Sequence, residues 1–225
     1  SHILPGVDDG VKTMNESLQI LAEMKHQGVR KVWFTPHIME DIPNTNAGLR
    51  ERFQELKEKF RKPEDAYCGT VELNLAAEYM MDNLFAERLE ADDLLPIYEG
   101  GYRYLLVETT GFTPMNLLPV LKRIQTKGYR PLLAHPERYL YMGTSYYCML
   151  KQEQVAFQLN LPSLTGAYGT YIQKKAVSLL KAGMYDLTGT DMHSSKHFKE
   201  WLGTRIGSRD RDMLWAHFPA CRDGL

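Results

Sequence analysis

Apolar positions along this chain form short β-like runs that alternate with stretches of helical spacing, as expected of successive βα units feeding a mainly parallel sheet. Leu18, Leu21, Ala22 and Met24 mark one helix face over 15–27, and Gly28 stops the run. Residues 29–35 then read as a strand and 47–61 as a charged amphipathic helix. Strands are predicted at 70–77 and 104–109, a helix at 114–127 closed by Gly128, and an apolar strand at 130–134. A strand at 155–161, a helix at 169–182 closed by Gly183 and a last strand at 185–190 follow. From Ser195 the pattern is helical, with a break at 203–208. No repeat, low-complexity tract or linker interrupts the alternation, so residues 1–225 read as one domain.

The chemistry stands where the strands end. His37, Glu78, Glu108, His135, Asn160 and the Asp191/His193 pair follow successive strands, and His2 stands at the opening of the chain. In a βα barrel the C-terminal strand ends converge on one face, where catalytic groups gather. Counting a strand implied before Ser1, the pattern gives seven βα units and an α/β barrel of TIM-like form; an open doubly wound sheet is the alternative.

Composition narrows the function. With 44% apolar and 24% charged residues the chain reads as an ordinary globular protein, and a formal charge of −1 gives no global attraction to nucleic acid or an anionic membrane. No apolar run approaches the roughly 20 residues of a membrane span. The opening Ser1-His2-Ile3-Leu4-Pro5 has no start methionine or signal-peptide shape and reads as the middle of a motif. Cys68, Cys148 and Cys221 are odd in number and far apart, which fits a reducing compartment better than a disulfide framework. They also exclude cysteine-based phosphatase chemistry, which needs an arginine six positions after the nucleophile. Asn74 and Gln154 stand there after Cys68 and Cys148, and Cys221 lies too near the end.

Mixed imidazole and carboxylate donors suit Zn, Mn or Fe. A single histidine is ordinarily a hydrogen-bonded loop or core residue, but in Thr35-Pro36-His37 a proline fixes the chain where the strand ends. His135-Pro136-Glu137-Arg138 repeats the device, and the Arg138 guanidinium there matches a phosphate or serves a surface ion pair. Asp191-Met192-His193 offers two ligand types on alternate positions. Glu78 and Glu108 follow apolar runs, where a carboxylate is costly unless it has an Arg or Lys partner or a metal. Asp8-Asp9-Gly10 is by itself a turn, raised in interest by its place beside His2. His26, in the last turn of its helix, reads as structural. His197 and His217 carry no assignment, and Tyr139, Tyr141, Tyr146 and Tyr147 read as packing or surface residues.

In order along the chain, Ser1-His2-Ile3-Leu4-Pro5-Gly6-Val7-Asp8-Asp9-Gly10, Thr35-Pro36-His37, Ala77-Glu78-Tyr79, Val107-Glu108, Ala134-His135-Pro136-Glu137-Arg138-Tyr139 and Asp191-Met192-His193 resemble the polymerase-and-histidinol-phosphatase (PHP) superfamily. Within it, they look like the bacterial manganese-dependent tyrosine-protein phosphatases of capsule and exopolysaccharide synthesis. The resemblance covers about residues 1–195, and residues 196–225 follow no pattern of that family. It implies a distorted (β/α)7 barrel, the PHP fold, holding three divalent ions, Mn ahead of Fe or Zn. His2, Glu78 and Asp191 would serve the first ion, with Glu78 bridging to a second completed by Glu108 and His135. Asp9, His37 and His193 would hold the third, and Arg138 would bind phosphate. The family opens on His-x-His, whose first histidine would lie immediately before Ser1.

The implied reaction is phosphomonoester hydrolysis by a metal-bridging hydroxide, with no covalent phospho-enzyme. Arg138 would clamp the phosphoryl group, and Asp9 or His193 would protonate a tyrosyl oxygen whose free pKa is about 10. The implied substrate is a phosphotyrosine protein, such as a bacterial tyrosine kinase of polysaccharide export, in the cytoplasm, with neither nucleic acid nor membrane insertion involved. A small-metabolite phosphatase of the histidinol-phosphate kind and a non-catalytic metal-binding scaffold are the competing readings.

Overall fold

A computed structural model of the chain describes residues 1–61 and 71–219. The first helix, α1 (Met14–His26), begins at Thr13, whose extended backbone and side-chain oxygen cap the Glu16 amide. It buries Leu18, Ile20, Leu21 and Met24 in the core. A strand β1 (Lys31–Phe34) follows, then a two-residue strand β2 (His37–Ile38) and helix α2 (Asn46–Phe60), capped by the Thr45 side chain and burying Leu49, Phe53, Leu56 and Phe60. Next come β3 (Glu72–Leu75) and β4 (Glu78–Met80).

These four short strands form two halves of one parallel ladder. Lys31 pairs with Glu72 and Phe34 with Leu75 on one side of the break, and His37 pairs with Glu78 in the same register on the other. Pro36 has no N–H to give the ladder, yet its carbonyl accepts from the Glu78 amide at 3.0 Å and Phe34 O accepts from Ala76 at 2.8 Å. His37 and Glu78 therefore lie just beyond an interruption inside the ladder, not at the strand ends that their sequence positions predict. Thr70, the first residue of the predicted 70–77 strand, is outside the described residues.

Helix α3 (Phe85–Ala91) and strand β5 (Ile97–Glu99) precede β6 (Tyr102–Glu108), with which β5 forms an antiparallel hairpin. Gly100 and Gly101 make its turn at φ 56° and 81°, a conformation glycine adopts without steric cost. Three helix–strand units continue the parallel sheet through α4 (Leu118–Thr126), β7 (Arg130–Ala134), α5 (Thr144–Gln152), β8 (Ala156–Asn160), α6 (Thr170–Lys181) and β9 (Leu187–Gly189). Two helices, α7 (Ser195–Gly203) and α8 (Ser208–His217), end the described chain with the break predicted between them.

The result is a mixed α/β fold with a curled parallel sheet in the order β2-β4-β6-β7-β8-β9. Period-two alternation along the strands divides the core. Leu105, Val107, Leu133, Phe157 and Leu159 face the helices, which supply Leu121, Ile124, Leu150, Leu179 and Leu180. Tyr104, Leu106 and Leu132 face the other way, with Ala76, Ala134 and Ala156, small residues suited to the inside of a curl. The opening residues bridge the ends of this sheet. Thr35 N donates to Ser1 O at 2.9 Å, and His2 N donates to Met192 O at 2.7 Å, just after β9. Among the described residues, no helix is long and apolar enough to cross a membrane.

Candidate metal centre

His2 lies at the middle of the site, with its ring almost fully buried. Its Nδ1 is 2.9 Å from Asp8 Oδ2, while Nε2 stands 3.0 Å from Glu78 Oε2 and 3.3 Å from Asp191 Oδ1. Gly10 makes this possible: a Cβ there would fall 1.9 Å from the His2 carbonyl oxygen. The Asp8-Asp9-Gly10 turn thus folds directly onto His2, and Val11 N closes it by donating to His2 O at 3.0 Å. The rings of His37 and His193 both approach His2, each with a centroid distance of 4.2 Å.

Three groups of ligating atoms result, with every atom of a group within 4.8 Å of the others. One is His2, Glu78 and Asp191; one is Asp9, His37 and His193 joined by His2; one is His37, Glu78 and Glu108. The first two match the sets implied by resemblance, with His2 added to the second. In the last group His37 stands where His135 was expected. His135 is nonetheless adjacent, its Nε2 being 3.2 Å from Glu78 Oε1 and 3.8 Å from Glu108 Oε2. All eight ligand candidates therefore share one site. Neither glutamate has an Arg or Lys partner among the described residues; histidines occupy those positions.

Backbone strain gathers here too. Among the described residues four non-glycines have positive φ, and two are His135 at 32° and Asp191 at 50°. Such residues persist where surrounding structure holds them in place, often at functional sites. Glu137, fully buried beside His135, anchors the turn by accepting from Asn160 N and the Tyr185 hydroxyl, both at 3.0 Å.

The electrostatics follow from buried carboxylates and imidazoles packed against one another. Burial opposes charge on His2, but Asp191, Asp8 and Glu78 outweigh it and hold its pKa well above the ordinary imidazole value. Burial likewise opposes charge on His37 and His135, and Glu108 and Glu78 respectively raise them. Burial would push Glu78 and Asp191 up, yet their histidine partners hold both carboxyls below the usual range. His193 goes the other way, lowered by burial and by the charge of His2. The donor set fits divalent cations on a separate ground. His135 Nδ1 is buried without a partner. His37 Nδ1, Glu78 Oε1 and Glu108 Oε1 have only ion-pair contacts, at 3.0 Å between His37 and Glu108 and 3.2 Å from Glu78 to His135 Nε2, without an aligned hydrogen bond, an arrangement that a bound ion would satisfy.

Arg138 sits at the mouth, its side chain 36% exposed, with Nη1 2.6 Å from Asp191 Oδ2. Its guanidinium also stacks over the Tyr168 ring at 4.9 Å, and Asn160 Nδ2 donates to the Tyr168 hydroxyl at 3.2 Å. Asp9 is the most open ligand candidate, its side chain 63% exposed and its Oδ1 3.5 Å from His193 Nε2. Sequence reasoning missed Asp8, which looks like a turn residue, and Tyr168, which has no signal except its nearness to the turn after β8. His197 is exposed and lies edge-on to His193 at 6.2 Å. Cys148 is an exposed free thiol, and Cys68 and Cys221 lie outside the described residues.

The chain is similar to known proteins along most of its length. Tyrosine-protein phosphatase YwqE of Bacillus subtilis is 27% identical over 202 residues, covering 87% of this chain and 76% of the relative. Tyrosine-protein phosphatase CpsB of Streptococcus pneumoniae is 26% identical over 203 residues, covering 86% and 81%. Crystal structures of those two proteins, described as unique metal-dependent tyrosine phosphatases, supply a fold match with a TM-score of 0.78 at 23% identity, over 96% of this chain and 85% of the other. Residues 1–203, which carry every ligand candidate, match the family described as capsular polysaccharide synthesis, CpsB/CapC, and the chain belongs to it.

Proposed function

We propose that this chain is a metal-dependent protein-tyrosine phosphatase acting in capsular or exopolysaccharide synthesis. The observation that carries the reading is the convergence of His2, Asp9, His37, Glu78, Glu108, His135, Asp191 and His193 on one face, in a chain whose relatives are named tyrosine-protein phosphatases. The ligand groups fit three divalent ions, with Glu78 shared between two, and mixed N and O donors suit Mn, Fe or Zn. Such ions acidify water and neutralise charge on a phosphoryl group. Glu78 and Glu108 supply the buried negative charge, while His2, His37 and His135 must give up protons to serve as ligands.

Arg138, at the mouth and always charged, is the group to hold the phosphoryl oxygens, and a guanidinium can do so through two parallel N–H donors. Asp9 or His193, adjacent and more exposed, is placed to pass a proton to the departing tyrosyl oxygen. The open position of Asp9 and Arg138 suits a phosphotyrosine presented on a protein segment, with a tyrosine kinase of polysaccharide export in the cytoplasm as the proposed substrate. The same reading takes the curled sheet as a distorted (β/α)7 barrel in one domain, supported by the opening residues that bridge its two ends. A side-by-side assay decides the substrate class. Phosphotyrosine peptide should be hydrolysed with a higher kcat/KM than histidinol phosphate, and the reverse order would favour a small-metabolite phosphatase.

A further inference from the structure

We infer that Asp8 is a positioning residue that fixes which ring nitrogen His2 turns toward the metal centre, an inference that rests on the metal-dependent reading above. The Asp8 carboxylate is wholly buried. Among the described residues no lysine or arginine pairs with it, and Lys12 Nζ donates to the Asp8 backbone carbonyl instead, at 2.6 Å. Three N–H groups satisfy it. Oδ1 accepts from Gly10 N at 3.0 Å, and Oδ2 accepts from His37 N at 3.1 Å while standing 2.9 Å from His2 Nδ1.

An ionised carboxylate can only accept, so the proton of a neutral His2 belongs on Nδ1. The lone pair is then left on Nε2, the nitrogen that faces Glu78 and Asp191. One oxygen thereby sets the tautomer of His2 and ties down the main chain that carries His37. Carboxylates that orient ligating histidines in this manner contribute about 10–100-fold to metal affinity. Asp9, the next residue, has the opposite character: it is exposed and belongs to a ligand group itself. Asparagine at position 8 would match the carboxylate in shape but replace one acceptor with a donor, which would face Gly10 N or the His2 and His37 N–H groups.

The test uses Zn²⁺ as a diamagnetic probe on the full chain. Long-range ¹H–¹⁵N spectra of the Zn²⁺-loaded wild type should show His2 protonated at Nδ1, with the metal-shifted resonance at Nε2. Calorimetry should show Zn²⁺ affinity falling about 10–100-fold in Asp8→Asn. Coordination of His2 through Nδ1, or equal affinity in a folded Asp8→Asn, would overturn the inference while leaving the metal reading intact. A wild type that takes up no Zn²⁺ would overturn both. If Asp8→Asn does not fold, the wild-type spectrum alone decides.

Discussion

Glu78 reaches two of the three ligand groups, with Oε2 3.0 Å from His2 Nε2 and Oε1 3.2 Å from His135 Nε2. Glu78→Ala should therefore lose both metal and turnover while keeping the fold. Elemental analysis beside the phosphatase assay checks this, and near-normal activity at full metal content would reject the shared role. Arg138→Ala should lose on the order of 2–4 kcal/mol in transition-state stabilisation, and Arg138→Lys less, because charge survives without the fork. Metal content should hold in both, and kcat/KM on a phosphotyrosine peptide reads the difference. The same network fixes the pH response of the metal-free protein. Glu78 and Asp191 have lowered pKa values, so their contribution is present above their unfolded values, about 4, and lost as pH falls through the folded ones. His2 is raised, so its contribution is complete below about 6.5 and lost as pH rises through its folded value. His193, lowered, adds a further cost in acid. The melting temperature of metal-free protein should peak between about pH 4.5 and 6.5 and fall on both sides; a flat profile would contradict the network. At this scale the sequence was informative where a ligand stood beside a device, such as Pro36 or Pro136. Asp8 was not legible, because a turn-forming aspartate and one that orients a histidine have the same local pattern. The bridge from Arg138 to Asp191 was hidden for another reason: 53 residues separate its ends.

The regular elements with clear periodicity, α1, α2, β7 and α6, were readable within a residue or two. Others were not. The nine-residue α5 buries only Tyr147 and Leu150, so its apolar spacing never forms a stripe. The seven-residue α3 is too short to show a period. The hairpin of β5 and β6 did carry a signal, the Gly100-Gly101 pair between β-formers, overlooked in an otherwise parallel pattern. The ladder break at Pro36 depends on pairing between distant segments, so only its proline was visible. The turn of Asp8 to Gly10 gives this scale its test. Gly10→Ala should destabilise by on the order of 2–3 kcal/mol through overpacking against His2, and weaken metal binding with it. Gly143→Ala, with open space around its Cβ, should change stability by less than about 0.5 kcal/mol. Equal melting curves for the two variants would mean that the turn does not pack on His2.

Across the whole molecule, the family match ends at residue 203, inside the region where the ligand motifs stop and the terminal helices begin. A groove of about 440 Å³ between α6 and α8, lined by Gln173, Lys174, Val177, Ser178, Lys181 and Asp210, contains none of the ligand candidates. Eight candidate ligands from segments spread over the chain meet instead at one end of the sheet. The overall α/β alternation was legible because burial on both faces makes parallel strands apolar and punctuated by glycine. Curling and the convergence of the ligands were matters of long-range geometry. The most direct measurement of the central claim is hydrolysis of a phosphotyrosine peptide by chelator-stripped protein before and after Mn²⁺ is restored. The account predicts negligible turnover without metal and recovery on addition of Mn²⁺, with none in Glu78→Ala; full turnover by stripped, metal-free protein would contradict it.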